Sequence, residues 1–215
     1  MKLSTSTRLT IAALSLLALV SCAGTTQLTS SWADPAAANR GFHKIAIVGA
    51  TPKSAIRRMF EDDFAAVLQT RGIQGVQSYT FAAEGQIDKD AAIAKLKDMG
   101  VDGVIVTRLI DKETVQTYYP PTYSSVAAPA PYYGGWYGYY SMGYSYQSSP
   151  GYVAEDHVFR IETNLYDLQS DKLVWSGLTE TTLSSGSAPD SEVKPFIDLI
   201  AYNMEKSKIL PKAKK

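Results

Sequence analysis

The chain has one cysteine, Cys22, and two histidines, His43 and His157, among 215 residues. One thiol makes no intrachain disulfide, and no cysteine pair or HExxH stretch offers a metal its usual ligands. Long apolar runs are missing as well. The N-terminal run from Leu9 to Val20 has twelve residues, which as a helix cover roughly 18 Å, well short of the ~30 Å hydrocarbon core of a bilayer. No Lys/Arg block stands outside the last few residues, so the electrostatic footprint of a nucleic-acid-binding protein is absent. From Thr114 to Ala154 there is no charged side chain of either sign. Stability has to come from packing, and the length suits one domain with one core.

What is present begins with a secretory signal. Lys2 and Arg8 form a positive n-region, Leu9–Val20 the apolar h-region, and Ser21 a small residue at the cut. The sequence Leu19-Val20-Ser21-Cys22 resembles the site where bacterial lipoprotein precursors are cleaved and acylated on cysteine. The competing reading is an ordinary signal peptide with an incidental thiol. The resemblance makes Cys22 the lipidation residue, residues 1–21 the signal peptide and residues 22–42 a lipidated flexible tether. It also implies two or three acyl chains, enough for lasting attachment where one chain holds only marginally. Ala23, and not Asp, follows the cysteine, which in a Gram-negative source implies the periplasmic face of the outer membrane. Removing residues 1–21 takes away two of the 21 basic side chains and none of the 21 acidic ones, leaving a formal charge of −2.

Residues 43–212 read as one α/β domain. Lys44-Ile45-Ala46-Ile47-Val48 is a short apolar strand. Thr51-Pro52 reads as the N-cap and first residue of a helix over 52–71, with Gly72 as its left-handed C-cap. Ile56, Met59, Phe60, Phe64, Val67 and Leu68 form that helix's apolar stripe. A strand over Gly75–Phe81 follows, then a helix capped by Asp88 and ended by Gly100. The strand from Val101 to about Thr117 pairs with one starting near Val153, where Phe159, Ile161 and Leu165 alternate with polar residues. Gln169-Ser170-Asp171-Lys172 turns into a last strand reaching about Leu183. A final helix from near Ser191 carries Phe196, Ile197, Ile200 and Met204 inward. The order β-α-β-α-β, insertion, β-β-α predicts a single mixed sheet with helices packed on it, three strands parallel and two added antiparallel. Trp32 is too apolar for an idle linker and is expected to dock on the domain edge.

The insertion at 118–152 holds 11 of the 14 tyrosines, five glycines and five prolines. Its prolines and glycines predict a loop, and break any membrane-spanning barrel strand. Tyrosine supplies large apolar area with a polar tip and few rotors, as binding surfaces use. The expected contact residues are Tyr132, Tyr133, Trp136, Tyr137, Tyr139, Tyr140 and Tyr144. A protein or carbohydrate surface, self-association and lipid headgroups all suit such a segment, and so does a loop with no specific partner.

Catalytic and metal constellations are not legible. His43, just before the first strand, and His157, on the face of Phe159 and Ile161, are lone histidines of the kind that is more often structural than catalytic. Gly49-Ala50-Thr51-Pro52-Lys53-Ser54 lacks the glycine a phosphate loop places before its lysine. Glu61-Asp62-Asp63 reads as a solvated helix face paired with Arg57 and Arg58. Ser184-Ser185-Gly186-Ser187 is no nucleophile elbow. No catalytic residue, metal or cofactor is therefore expected.

Four segments resemble an uncharacterised family of bacterial envelope lipoproteins: Thr29–Pro35, Arg58–Phe64, Val101–Leu109 and Leu165–Ser176. The last hairpin is also similar to that of curli-secretion-type and penicillin-binding-protein-activator-type lipoproteins, which usually read Asp-x-x-Thr-Gly where this chain has Asp167-Leu168-Gln169-Ser170-Asp171. The resemblance implies an α/β periplasmic domain and supplies no catalytic residue. The expectation is a lipid-anchored, non-enzymatic accessory or adaptor protein. It would bind the membrane through its anchor and a protein or other envelope partner through the loop. An oligomeric secretion or assembly component and, further off, an envelope hydrolase stay open.

Overall fold

The computed structural model describes residues 25–81, 89–126, 145–187 and 189–214. Its centre is a six-stranded mixed sheet. The strands are β1 (Thr25–Ala33), β2 (Lys44–Ala50), β3 (Gln74–Gln77), β4 (Gly103–Tyr119), β7 (Tyr152–Asp167) and β8 (Lys172–Ser184), ordered β1-β8-β7-β4-β2-β3. Two further strands, β5 (Thr122–Val126) and β6 (Ser145–Ser149), pair, among the described residues, only with each other. The helices are α1 (Ser54–Gln69), the single turn α2 (Ser78–Phe81), α3 (Lys89–Asp98) and α4 (Val193–Lys206). As expected, β3, β2 and β4 are parallel, and β7 and β8 continue antiparallel from β4.

Alternation sorts the two faces of the sheet. On one, Ile45, Ile47, Ile105, Leu165 and Trp175 meet Phe60, Phe64 and Leu68 of α1 and Phe196, Ile197, Ile200 and Met204 of α4. On the other, Ala46, Val76 and Val104 meet Leu96 and Met99 at the α3 end. Trp175 is fully buried, and its indole lies over Gly177, where a Cβ would run into Cη2. Only glycine leaves room for that ring. Gly72 takes the left-handed φ of +77° that ends α1, with the Ile73 N–H reaching back to the Leu68 carbonyl.

Within the segment expected to be a flexible tether, residues 25–42 are instead folded onto the domain. Residues 25–33 form the edge strand β1, antiparallel to β8 from Thr25↔Thr182 to Ala33↔Trp175. Asp34 caps the short turn Pro35–Ala37, Ala37 and Phe42 join the core, and Arg40 pairs with the buried Asp167. Small polar residues can complete a ladder because the backbone supplies the bonds. Trp32 sits on this edge strand, half exposed. Two smaller differences follow from local chemistry. The second expected strand stops at Gln77 and turns into α2. Pro52 lies outside α1, whose N-cap is Lys53. The Asp88 cap lies outside the described residues. Asp171, where the similar hairpins carry glycine, adopts φ +53°, a conformation Asp tolerates better than most residues.

The insertion also differs from the expected loop over 118–152. Its flanks are strand up to Tyr119 and again from Tyr152, and β5 and β6 extend ladder structure inside it.

Candidate functional site: an exposed aromatic arm

β2 accompanies β4 only as far as Ala50↔Arg108. A β-bulge between Leu109 and Asp111 marks the departure, and from there, among the described residues, β4 is paired only with β7, out to Tyr119↔Tyr152. Eleven residues, Leu109–Tyr119, make an arm of roughly 35 Å at about 3.3 Å each. Two tight connections, Pro120-Pro121 and Pro150-Gly151, then lead to β5 and β6. They lie close together, since a Cβ on Gly151 would be 2.9 Å from Pro121 Cδ.

The base of the arm is charged and cross-braced. On one face the Arg160 guanidinium donates to Asp111 at 2.5 Å, Glu113 at 3.0 Å and Glu180 at 3.2 Å, spanning three strands. Those acceptors, Asp111 foremost, hold its pKa above the ordinary value. Arg108 and Glu162 pair beside it at 2.8 Å. On the opposite face His157 and Thr114 are 3.1 Å apart, Gln116 donates to Glu155 at 2.6 Å, and Lys112 lies over the Phe159 ring. Beyond this brace the character changes. Tyr119 stacks on Tyr152 with centroids 5.0 Å apart on one face, and Tyr118 and Val153 are partners on the other. All four are 46–64% exposed.

His157 and Arg160 point to opposite faces of β7, three residues apart, so they do not converge on one cleft. His43 is exposed and 3.3 Å from Asp102, which also accepts from the His43 and Lys44 backbone N–H groups. The turn after β2 is unsuited to phosphate: the Gly49 N–H already donates to Glu61 at 2.9 Å. Among the described residues no group of three or more His, Cys, Asp or Glu side chains is placed to hold a metal, and no helix is long and apolar enough to cross a membrane.

Glu61 corrects the reading of Glu61-Asp62-Asp63 as a solvated face. It is fully buried and accepts from Gly49 N, from Ser78 Oγ at 2.5 Å and from Tyr79 N at 3.4 Å. Asp62 takes the Tyr79 hydroxyl and Gln77 Nε2. The signal was present, because Glu61 stands three and seven residues before Phe64 and Leu68 and so shares their row. Its role is to join α1, the β2 end and α2.

Cys22 and the seven loop residues Tyr132, Tyr133, Trp136, Tyr137, Tyr139, Tyr140 and Tyr144 lie outside the described residues. Sequence reasoning missed Tyr118, Tyr119, Tyr152 and Val153 as a presented cluster, having assigned them to a loop or its edge. The alternation in Thr114–Tyr119 was the available clue.

No family model matches the chain, and no curated protein matches it. Among solved structures it is similar to the PelC dodecamer from Paraburkholderia phytofirmans, at 15% identity over 88% of this chain and 99% of that one, with a TM-score of 0.44. It is also similar to lipoprotein GNA1162 from Neisseria meningitidis, at 12% identity over 76% of this chain and 99% of that one, with a TM-score of 0.41. Likenesses at these scores carry no argument about function, which rests on the residues of this chain.

Proposed function

We propose that this chain is a lipid-anchored, non-enzymatic accessory or adaptor protein of the bacterial envelope. Acylation at Cys22 would hold it to the periplasmic face of the outer membrane, and the β-arm would present the tyrosine-rich segment to a protein or other envelope partner. One observation carries the reading: a well-packed sheet domain projects a cross-braced ribbon whose outer part is aromatic, exposed and uncharged. Exposed rings on a rigid support are the anchors of recognition surfaces. The opposed directions of His157 and Arg160 support recognition over turnover.

Two experiments test it. Cys22→Ser moves the protein from the membrane to the soluble fraction and removes the acyl mass; unchanged sedimentation and unchanged mass refute the anchor. Where the arm's partner is a protein, deleting residues 120–149 abolishes its crosslinked neighbours; an unchanged set of neighbours refutes a protein contact through the arm.

A second reading, an oligomeric secretion or assembly component, is favoured by the arm's open edge. Past Arg108 the outer side of β4 has no strand partner among the described residues, and open edges accept strands from other chains. The size of detergent-extracted protein decides it.

A further inference from the structure

We infer that the partner of the arm is the bilayer that holds Cys22, with the arm's aromatic end lying among the lipid headgroups. This rests on the lipid anchor proposed above and follows from where β1 begins. Thr25 pairs with Thr182, Thr182 with Val158, and Val158 with Glu113. Across these three antiparallel ladders β1 runs opposite to β4, so the end where β1 starts is the end from which the arm projects. Only residues 23 and 24 separate Cys22 from Thr25, so their Cα atoms are at most about 11 Å apart. With residues 25–33 built into the sheet, no long tether remains to let the domain stand off or turn over. An acyl group on Cys22 thus brings this end of the sheet to the membrane surface.

The arm reaches further than the anchor. From the level of Glu113, β4 continues six residues to Tyr119, roughly 20 Å. The last charged residues of its two strands are Glu113 and Glu155, and nothing charged lies between them along the chain. Tyr118, Tyr119, Tyr152 and Val153 stand exposed there. Tyrosine settles at the membrane–water interface, with its ring among the chains and its hydroxyl in water, whereas a charged side chain is costly at depth. The charge boundary falls where the lipid boundary would. Past Lys112 the arm has no cation, so the contact needs no anionic lipid and is insensitive to salt.

The test uses the full mature acylated protein in phosphatidylcholine vesicles that carry nitroxide on the headgroups. Acylation occupies Cys22, so Val153→Cys supplies the only free thiol for a fluorophore. Lys172→Cys labels the opposite end of β8. Both positions are exposed, and neither substitution touches the core. The Val153 label should be quenched about threefold or more above the Lys172 label, as expected of an interfacial position, with no change on adding salt. If acyl mass is missing from Cys22, the anchor reading fails and takes this inference with it. If acylated, vesicle-bound protein shows equal quenching at the two labels, the arm inference alone is overturned. Capture of a protein by a photo-crosslinker placed at Tyr119, with the Val153 label unquenched, overturns it in favour of a protein partner.

Discussion

Along β4, residues 103–107 alternate between buried and half-buried, whereas every residue from Arg108 to Tyr119 is exposed. The strand is continuous and the ladder to β7 unbroken apart from one bulge; only the surroundings change. In the body, β2 closes the edge and α1 and α4 cover one face. In the arm, β7 is the partner along the whole length, β8 reaches only to Asp156↔Ser184, and among the described residues no helix packs on either side. A two-stranded ribbon alone is marginal in water. Here the Arg160 brace and rooting in a packed sheet hold its base. Burial therefore sets stability in the body, and the arm is released from that duty and displays side chains instead.

That contrast can be broken or sharpened in graded steps. Trp175→Ala should cost about 3–5 kcal/mol by the usual loss for a buried aromatic, read as a lower denaturant midpoint. A cost under about 1 kcal/mol would show that the site collapses around the gap. Glu61→Ala leaves the Gly49 N–H and the Ser78 hydroxyl without their acceptor. It should cost about 1–3 kcal/mol by the penalty for an orphaned buried polar group, with Glu61→Gln milder because one acceptor oxygen remains.

Tyr79→Phe tests the pH dependence of the α1–α2 junction. The Tyr79 phenol is held above its ordinary pKa, first by its hydrogen bond to Asp62 and then by burial. The folded state therefore favours the neutral phenol. Its contribution is complete below the unfolded value of about 10 and is lost as pH rises through the higher folded value. The substitution should cost less than about 1 kcal/mol at neutral pH, given how open the site is to solvent. It should also flatten the fall in stability above pH ~10; an unchanged alkaline slope would refute the assignment. Smallest of all, deleting residues 120–149 should change the body's stability by less than about 0.5 kcal/mol, as for surface changes that touch no packed feature. A larger loss would show that the segment packs on the body.

How much of this was legible varied with the range of the interactions. The stripes of α1 and α4, the left-handed turn at Gly72 and the alternation that pairs β4 with β7 and β7 with β8 are local patterns, and they appear where period and turn chemistry put them. β1 was not legible, because Thr25-Thr26-Gln27-Leu28-Thr29-Ser30-Ser31 has weak alternation and gains its order from the edge of β8, far along the chain. Glu61 was misread for a related reason: helical spacing reveals a row but not which rows the sheet will cover. The arm was half read, its charge-free composition noted and its ladder hidden by the prolines at 120 and 121.

By itself the amino-acid order determined the α/β class, the parallel core strands and their two antiparallel companions. It also set the isolation of one thiol after the apolar run Leu9–Val20 and the absence of charge over 114–154. Those properties need only spacing and composition. The tertiary structure alone decided that the supposed tether is an edge strand, that Glu61 faces inward, and that β1 starts at the end from which the arm projects. Each of these depends on which distant backbone groups pair, because hydrogen bonds between strands remote in sequence leave no periodic trace in either partner.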